Sequence, residues 1–291
     1  MSRVDLGSGL LARLRCPDCL RACVEGTPEG FLCGGCGREL PLSGGVLYAL
    51  PRKLALAQAA NRAYYDEISA EEANVLARRA KTRNHRAKMR LVLDALELGE
   101  GVAPCTVLEG GVGHGTHGAA LGARGHAFAG VDIAPELLHR ARARYPVLRD
   151  ATLVAADSTR LPFQDGLFDA AFCVAMLHHL PLPEEGVAEL LRVLRPHGRF
   201  CFLEPRRLYP TTVWQYLRHP KTEVSVLKMT VRNVTRWARE AGAREVSVAF
   251  GVFTPNGPAV LTRVWDAVDR LCAAATPLRL ASIMFCVHGR K

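Results

Sequence analysis

From Cys105 onward, short apolar runs alternate with longer segments that have helical spacing. The runs that predict strands are TVLEGG, AFAGVDI, ATLVAAD, FDAAFCVAML, GRFCFLEP, REVSVAFGV and SIMFCVHGRK. Between them lie segments such as PELLHRARARY, PEEGVAELLRVLR and RNVTRWAREAG, whose apolar residues recur at helical intervals. This alternation predicts a parallel sheet with helices on both faces. Runs that are apolar throughout, such as AAFCVAML, fit strands that are covered on both sides.

Ahead of this region, residues 52–98 have a helical pattern that is rich in basic side chains. Four arginines would share one face of such a helix: Arg79, Arg83, Arg86 and Arg90. A basic face of this kind is either solvated or a stripe that contacts nucleic acid, and we favour the solvated interpretation.

The first 50 residues are rich in glycine and proline and carry two CxxC pairs separated by a turn. Paired CxxC motifs typically hold one Zn²⁺ in a tetrahedral shell of four thiolates. We therefore predict Cys16, Cys19, Cys33 and Cys36 as zinc ligands, and Cys23 as a bystander. With four protein ligands the site would be closed, hence structural rather than catalytic. Free surface thiols are the alternative, which the paired spacing disfavours.

Composition is that of a folded soluble protein, with 49% hydrophobic and 23% charged residues. Neither a run long enough to cross a bilayer nor a signal peptide is evident, so we expect a cytoplasmic protein without a membrane partner. The formal net charge of +10 would attract phosphate-bearing partners, but the arginines are spread along the chain.

Acidic residues end three successive predicted strands: Glu109, Asp132 and Asp157. Glu109 opens the glycine-rich stretch EGGVGHG, whose spacing differs from the GxGxxG of dinucleotide sites. A carboxylate there suits a ligand with an ammonium group, and Asp132 at the next strand end suits a ribose diol. Together the three acids describe a ligand with an amino-acid end, a ribose and an adenine.

The stretch from Thr106 to about Pro205 resembles the class I S-adenosylmethionine-dependent methyltransferases, especially the ubiquinone/menaquinone-type subgroup. VLEGGVGHG is similar to the first motif of that family and GVDIAPELL to its second. AADSTRLPFQDGLFDAAFCVAMLHHLP is similar to the third and fourth motifs, and ELLRVLRPHGRFCFLEP to the following helix and strand. The N-terminal cysteines resemble a Trm112-like zinc ribbon.

The resemblance implies S-adenosylmethionine as cofactor and assigns its binding residues. The methionine moiety would lie near Glu109, Gly111, Gly113 and Gly115, while Asp132 holds the ribose. Ile133 would pack on the adenine, and Asp157 with Ser158 would meet its edge. His114 departs from the family pattern, and we interpret it as a bystander.

Two histidines end the fourth predicted strand, and the resemblance places them beside the transferred methyl group. A histidine suits removal of a proton from an acceptor hydroxyl or acidic carbon. We predict His178 and His179 as catalytic candidates, with His178 preferred, and pocket shaping as the alternative. For acceptor binding the candidates are Tyr64, Tyr65, Glu204 and Arg206, together with the insert that follows strand five.

The sequence thus predicts an α/β fold: a doubly wound, seven-stranded Rossmann-like methyltransferase domain (99–291), a small zinc-ribbon domain (1–50) and a helical linker or lid (51–98). We expect a biosynthetic methyltransferase whose acceptor is a small molecule, either a secondary metabolite or quinone-like. The alternative is a guanine-N1-type rRNA methyltransferase that uses the ribbon to bind RNA. The pattern also leaves room for a homodimer.

Overall fold

The computed structural model describes residues 10–11, 13–21, 25–27, 29–67, 83–252, 262–274 and 282–291. Cys23 and Arg79 lie outside the described residues. The strands are β1 Glu25–Thr27, β2 Gly30–Leu32, β3 Glu39–Ser43, β4 Val46–Tyr48, β5 Thr106–Gly110, β6 Ala127–Asp132, β7 Thr152–Ala155, β8 Phe168–Val174, β9 Leu194–Pro205, β10 Ser247–Gly251 and β11 Met284–Arg290. The helices are α1 56–67, α2 Arg83–Ala95, α3 Thr116–Gly122, α4 Pro135–Arg144, α5 Pro183–Arg192, α6 Pro210–Arg218, α7 Val231–Glu240 and α8 Thr262–Ala274.

The central sheet has the strand order β7-β6-β5-β8-β9-β11-β10. Strands β5 to β9 run parallel, and β11 runs antiparallel to both of its neighbours, β9 and β10. The strand order reverses between β5 and β8, which is the switch point where open α/β sheets bind ligands. The prediction of a doubly wound, seven-stranded Rossmann-like sheet is confirmed.

Side chains of the central strands alternate between two apolar layers, as the pleat of a strand requires. In β7, Leu153 and Ala155 pack into one layer, and Val154 packs into the other. All three side chains are buried. Burial on both faces explains why these strands are apolar throughout instead of alternating with polar residues.

Helices cover both layers because each has one apolar stripe. Helices α5 and α7 pack on one face of the sheet, where Leu190 and Trp237 are buried, and α2, α3 and α4 pack on the other. Helix α7 begins cleanly because the Thr230 side chain accepts a hydrogen bond from the amide of Asn233, 3.0 Å away. Within the described part of the chain, no helix combines the length and apolar character needed to cross a membrane.

The N-terminal strands continue the same sheet. Strands β1 to β4 form an antiparallel meander, and β4 then pairs in parallel with β7 at the edge of the central sheet. Leu14 bridges to Phe163, and Leu14, Leu40 and Leu47 are fully buried in the same apolar layer as the central strands. The cysteine-bearing segment is therefore packed against the larger unit through both backbone pairing and core contacts.

Arg83 departs from the prediction of a solvated basic helix face. Its side chain is 5% exposed and forms ion pairs with Asp266 and Asp269 of α8. A buried guanidinium requires such partners because desolvation of an unpaired charge is costly. In the structure, Arg83 joins α2 to α8 instead of facing solvent.

We predict that Leu47→Ala lowers the free energy of unfolding of the whole chain by about 2–5 kcal/mol, the usual cost of a cavity in a core. Because β4 pairs with β7, the N-terminal and central strands should lose stability together. Urea unfolding followed by both circular dichroism and tryptophan fluorescence measures this. The control Leu32→Ala removes a side chain that is 39% exposed and should change the value by less than about 0.5 kcal/mol. If Leu47→Ala leaves the unfolding transition of the central strands at the urea concentration of wild type, the prediction is contradicted.

Candidate functional site

A cavity of about 510 Å³ opens at the carboxyl ends of the parallel strands. Its lining includes the loop after β5 and the ends of β6 and β7, together with α1, α2 and the end of β8. The cavity therefore lies at the switch point, where backbone amides and strand-end side chains converge.

The three alternate glycines of the loop are required for different physical reasons. All three have left-handed φ angles, 73° at Gly111, 51° at Gly113 and 73° at Gly115, which favour glycine. A Cβ at Gly111 would lie 2.5 Å from Met176, and one at Gly115 would lie 2.7 Å from Ala141. A Cβ at Gly113 would meet nothing within 4 Å, and Gly113 lines the cavity. Gly113 thus leaves room for a ligand against the backbone, whereas Gly111 and Gly115 allow close packing.

Asp132 and Asp157 are buried, hydrogen-bonded side chains of the cavity wall. Asp132 accepts hydrogen bonds from the amides of Gly113 at 2.8 Å and Ala134 at 3.0 Å. Burial raises the pKa of Asp132, although these amides oppose the shift. Asp157 accepts from the amide of Thr159 at 2.8 Å and from Nε2 of Gln58 at 2.6 Å. Both acids therefore fix the shape of the wall as well as its polarity.

Glu109 is fully buried and does not line the cavity, but its partner His117 does. His117 Nδ1 and Glu109 Oε1 are 2.8 Å apart. Burial lowers the pKa of His117 to about 3, while burial and nearby Asp132 raise the pKa of Glu109. His117 Nε2 and Glu109 Oε2 are buried polar atoms without a hydrogen-bond partner among the described residues. Orphaned atoms at such a position fit a polar group of a ligand.

A second imidazole stacks on this pair. The rings of His85 and His117 are 5.0 Å apart and nearly parallel, and both line the cavity. Burial, with His117 nearby, lowers the pKa of His85 to about 4. Both rings are therefore neutral at physiological pH and form a flat polar surface without charge.

His178 is held in a buried network with two carboxylates. Its Nδ1 lies 2.7 Å from Glu204 Oε2 and its Nε2 lies 3.4 Å from Glu223. The other oxygen of Glu204 accepts from the amides of Met176 at 2.9 Å and Leu177 at 2.8 Å. Burial alone would lower the pKa of His178, but the two carboxylates raise it overall. His178 does not line the cavity. Glu204 and Glu223 instead hold its ring in a buried ion pair.

His179, the next residue, lines the cavity and contacts Tyr65. Its Nδ1 lies 2.9 Å from the carbonyl oxygen of Thr222 and therefore donates. The neutral ring then has an acceptor at Nε2, which lies 3.1 Å from the hydroxyl of Tyr65. Burial and the adjacent His178 lower the pKa of His179 to about 3, so the ring stays neutral at physiological pH.

The structure brings together some of the predicted residues and separates others. Those that line the cavity are Gly111, Gly113, Asp132, Ile133, Asp157, Ser158, Tyr65 and His179. Those that do not line it are Glu109, Gly115, His178, Tyr64 and Glu204. Arg206 instead lines a separate groove beside α7. The functional roles assigned to all of these residues remain predictions.

Several polar cavity residues are not predicted from the sequence, among them His85 and His117. Gln58 and Asn61 come from α1, and Asn84 and Lys88 come from α2. Asn61 also donates a hydrogen bond to the carbonyl oxygen of His179, 2.8 Å away. In the sequence, these four helix residues show only as polar side chains spaced by three or four positions. The same spacing occurs on solvated helix faces, so it does not predict a cavity lining.

The four predicted zinc ligands converge in the N-terminal segment. Their sulfur atoms lie within 4.8 Å of one another, with Cys16 and Cys36 separated by 3.8 Å and Cys19 and Cys33 by 3.4 Å. Tetrahedral Zn²⁺ with bonds of about 2.3 Å requires sulfur separations of about 3.8 Å. The amide of Gly35 also donates to Cys33 Sγ, 3.4 Å away. The donor set and its spacing fit a closed zinc site.

Residues 108–202 match the family described as "Methyltransferase domain", which covers β5 through most of β9. Within this stretch lie the glycine loop, Asp132, Asp157 and both strand-end histidines. This part of the chain therefore matches a methyltransferase domain.

Curated relatives and solved structures agree with this assignment. A demethylmenaquinone methyltransferase of Clavibacter sepedonicus is 38% identical over 35% of this chain and 42% of its own length. The chain spans between 42% and 61% of the lengths of the first curated relatives it matches.

Solved structures share the fold of the methyltransferase domain. A Thermotoga maritima S-adenosylmethionine-dependent methyltransferase is 17% identical, covers 79% of this chain and 99% of its own, and has a TM-score of 0.52. A chain of a Haloferax volcanii complex that contains the Trm112 methyltransferase activator is 21% identical, covers 78% of this chain and 96% of its own, and has a TM-score of 0.55. At these identities the likeness shows the fold alone.

His178 and Glu204 form a buried ion pair. We predict that Glu204→Gln destabilises the protein by about 1.5–3 kcal/mol, the range for a hydrogen bond to a charged group. The folded-state pKa of His178 is raised above its ordinary 6.5. Its contribution to stability is therefore fully present below pH 6.5 and is lost as the pH rises through the raised value. The difference between wild type and Glu204→Gln should accordingly be largest at acidic pH.

Urea unfolding of both proteins across about pH 5 to 9 measures this difference. The matched control is Glu245→Gln, which alters a carboxylate that is 77% exposed and should change stability by less than about 0.5 kcal/mol. A difference that does not vary with pH would show that the charge of His178 plays no part.

Proposed function

We propose that the chain is an S-adenosylmethionine-dependent methyltransferase that transfers a methyl group to a small, quinone-like acceptor. The observation that carries the proposal is the lining of the cavity. We call Gly113, Asp132 and Asp157 the first wall, and the hydrogen-bonded pair of Tyr65 and His179 the second, or acceptor, wall.

The first wall fits the cofactor. Asp132 ends β6 and Ile133 follows it, where a ribose and an adenine would bind, and the space that a Cβ of residue 113 would fill is open. The partnerless Nε2 of buried His117 is suited to a polar group at the amino-acid end. When bound, S-adenosylmethionine supplies a methyl group on a sulfonium, so the protein need only position the acceptor and handle its proton.

The second wall fits an acceptor that loses a proton. Because the Thr222 carbonyl fixes the Nδ1–H tautomer of His179, Nε2 is the acceptor for the Tyr65 hydroxyl proton. The oxygen of Tyr65 is then able to accept a hydrogen bond from an acceptor hydroxyl. As the acceptor is methylated, its proton passes to Tyr65 and the tyrosine proton to His179, a weak base with a pKa of about 3 that releases the proton again. We assign this proton relay to Tyr65 and His179 in preference to His178, whose nitrogens both face carboxylates.

A quinone-like acceptor is supported by both the relatives and the lining. Relatives include demethylmenaquinone methyltransferases and a spinach 2-methyl-6-phytyl-1,4-hydroquinone methyltransferase. The neutral, flat ring of His85 and the aromatic ring of Tyr65 suit a planar acceptor. Lys88, also in the lining, offers a donor for a carbonyl or phenolate oxygen.

An RNA acceptor, the alternative from the sequence, is less well supported. It rests on the four-cysteine ribbon and the basic balance of the chain, but of the basic residues of α2, Arg83 is buried between two aspartates and Lys88 lines the cavity. These side chains are not on a continuous basic stripe. Binding to rRNA fragments that weakens steeply with salt would favour RNA instead.

The test is a calorimetric titration with S-adenosylmethionine, followed by methyl transfer to reduced quinones with an unmethylated ring. We expect Tyr65→Phe to lower kcat by about 10²-fold or more, the usual contribution of a proton-transfer group. Affinity for S-adenosylmethionine should be unchanged, because Tyr65 lies on the acceptor wall. Absence of cofactor binding would reject the whole proposal.

Tyr145→Phe is the control for this variant, since Tyr145 lies at the end of α4 and does not line the cavity. It should retain wild-type kcat and cofactor affinity. If Tyr65→Phe also retains full kcat, methyl transfer stands but the proton route through Tyr65 and His179 is wrong.

We further propose that residues 1–50 are a zinc ribbon attached to the methyltransferase domain at 99–291, with 51–98 as the helical linker. Cys16, Cys19, Cys33 and Cys36 would hold Zn²⁺ as a closed, structural site. Support comes from the sulfur spacings and from the pairing of β4 with β7, which makes the ribbon part of the common sheet.

Removal of zinc should therefore lower the thermal midpoint of the whole chain. We expect one zinc per chain by elemental analysis, and loss of that zinc together with a lower midpoint in Cys16→Ser. The control Cys105→Ser alters a half-buried cysteine outside the cluster and should keep its zinc. A zinc-free wild-type protein with an unchanged midpoint would contradict the structural role.

A further inference from the structure

The insert that follows β9, residues 206–232 including the first two residues of α7, exposes apolar side chains that would ordinarily be buried. Exposure is 75% for Leu208, 58% for Trp214, 72% for Leu217 and 53% for Leu227. On α6, Val213, Trp214 and Leu217 share one helical face, opposite to buried Thr212. The helix therefore turns its apolar stripe toward solvent and packs through the other side.

An apolar groove adjoins this stripe. It has a volume of about 420 Å³, and Phe250 and Phe285 lie opposite each other on neighbouring strands in its wall. Leu208 lines the groove together with three arginines. One of these, Arg207, also donates a hydrogen bond to the carbonyl oxygen of Leu227, 3.0 Å away. This bond connects the segment that carries Leu208 to the segment that carries Leu227. We call residues 206–232 the insert surface.

The insert surface is strongly basic. Its basic residues are Arg206, Arg207, Arg218, Lys221, Lys228 and Arg232. The only acidic residue within these limits is Glu223, which is buried beside His178. Arg218 also lies over the ring of Trp214, 5.2 Å from its centroid. Exposed leucines and a tryptophan surrounded by lysines and arginines form the pattern of a peripheral membrane helix.

We infer that the insert surface binds the surface of an anionic lipid bilayer. Lysines and arginines near such a surface are attracted to its anionic headgroups, and the apolar stripe would enter the headgroup boundary. A second copy of this chain is disfavoured because two basic surfaces repel. Nucleic acid would match the charge but gives no reason for exposed Leu208, Leu217 and Leu227. A peripheral contact needs no membrane-spanning segment, and it revises our expectation that no membrane partner is involved.

The insert surface adjoins the cavity. The ring of His219, directly after α6, lies 5.5 Å from that of Tyr64, and Thr222 fixes His179. A bilayer bound here would lie beside the acceptor wall, so a lipid-soluble acceptor could enter without crossing water. Membrane binding itself does not depend on the proposed methyl transfer and is measured without cofactor.

The test is partition of the full chain onto vesicles of phosphatidylcholine alone and of phosphatidylcholine with phosphatidylglycerol. We expect binding to the anionic vesicles only, weakened by salt because the attraction is screened. The double variants Leu208→Ser with Leu217→Ser, and Lys221→Glu with Arg232→Glu, should each weaken partition by on the order of tenfold or more. Binding should shift the tryptophan emission to the blue, and Trp214→Phe should remove that shift.

Control variants lie at the amino ends of the parallel strands, before β5 and β7. Val102→Ser and Arg149→Glu alter exposed residues there and should bind vesicles like wild type. Circular dichroism verifies that all variants are folded. No binding to anionic vesicles, or binding unaffected by either double variant, would overturn the inference. A dimer detected by light scattering would also overturn the inference if the double variant Leu208→Ser with Leu217→Ser converts it to monomer.

Discussion

The buried carboxylate of Glu204 is the contact on which the acceptor side of the molecule depends. It lies at the end of β9 and accepts hydrogen bonds from the backbone amides of Met176 and Leu177, which follow β8. Its other oxygen is hydrogen-bonded to the ring of His178. The carbonyl of His178 in turn accepts from the amide of Ser225 in the insert. One charged group thereby fixes the ends of two strands and the segment that covers them. Because all of its partners are buried, loss of this carboxylate would leave several polar groups unsatisfied at once.

This arrangement divides the adjacent histidines between two tasks. His178, held by Glu204 and Glu223, favours the charged form, whereas His179, beside it and bonded to a carbonyl, remains neutral. Their rings are only 4.1 Å apart, so a charge on one disfavours a charge on the other. The fixed ion pair thus keeps its neighbour in the uncharged form that accepts a hydrogen bond from Tyr65.

The sequence was informative where function resides in a local pattern. The loop glycines, Asp132 and Asp157 follow their strands directly, so strand periodicity and family motifs located them without long-range information. It did not distinguish His178 from His179, because their environments come from Glu204, Thr222 and Glu223, some 26 to 45 positions away along the chain.

Contributions from distant helices were equally hidden. Gln58 and Lys88 lie on helices whose orientation toward the cavity depends on tertiary packing. Arg83 was interpreted as solvated because its partners, Asp266 and Asp269, are more than 180 positions away. Such ion pairs leave no local signal in a sequence. Nothing local distinguishes His117 from His114, because only the fold places the ring of His117 between Glu109 and His85.

The pairing of β4 with β7 also has a consequence for solubility. Strand β7 would otherwise be the edge of the central sheet, with a row of unpaired N–H and C=O groups next to buried Leu153 and Val154. Exposed apolar edges of this kind recruit strands from other molecules. The N-terminal segment occupies that edge in cis and continues the sheet into short strands rich in turns. A chain that lacked residues 1–50 would therefore be prone to aggregate through β7, even with every cavity residue intact.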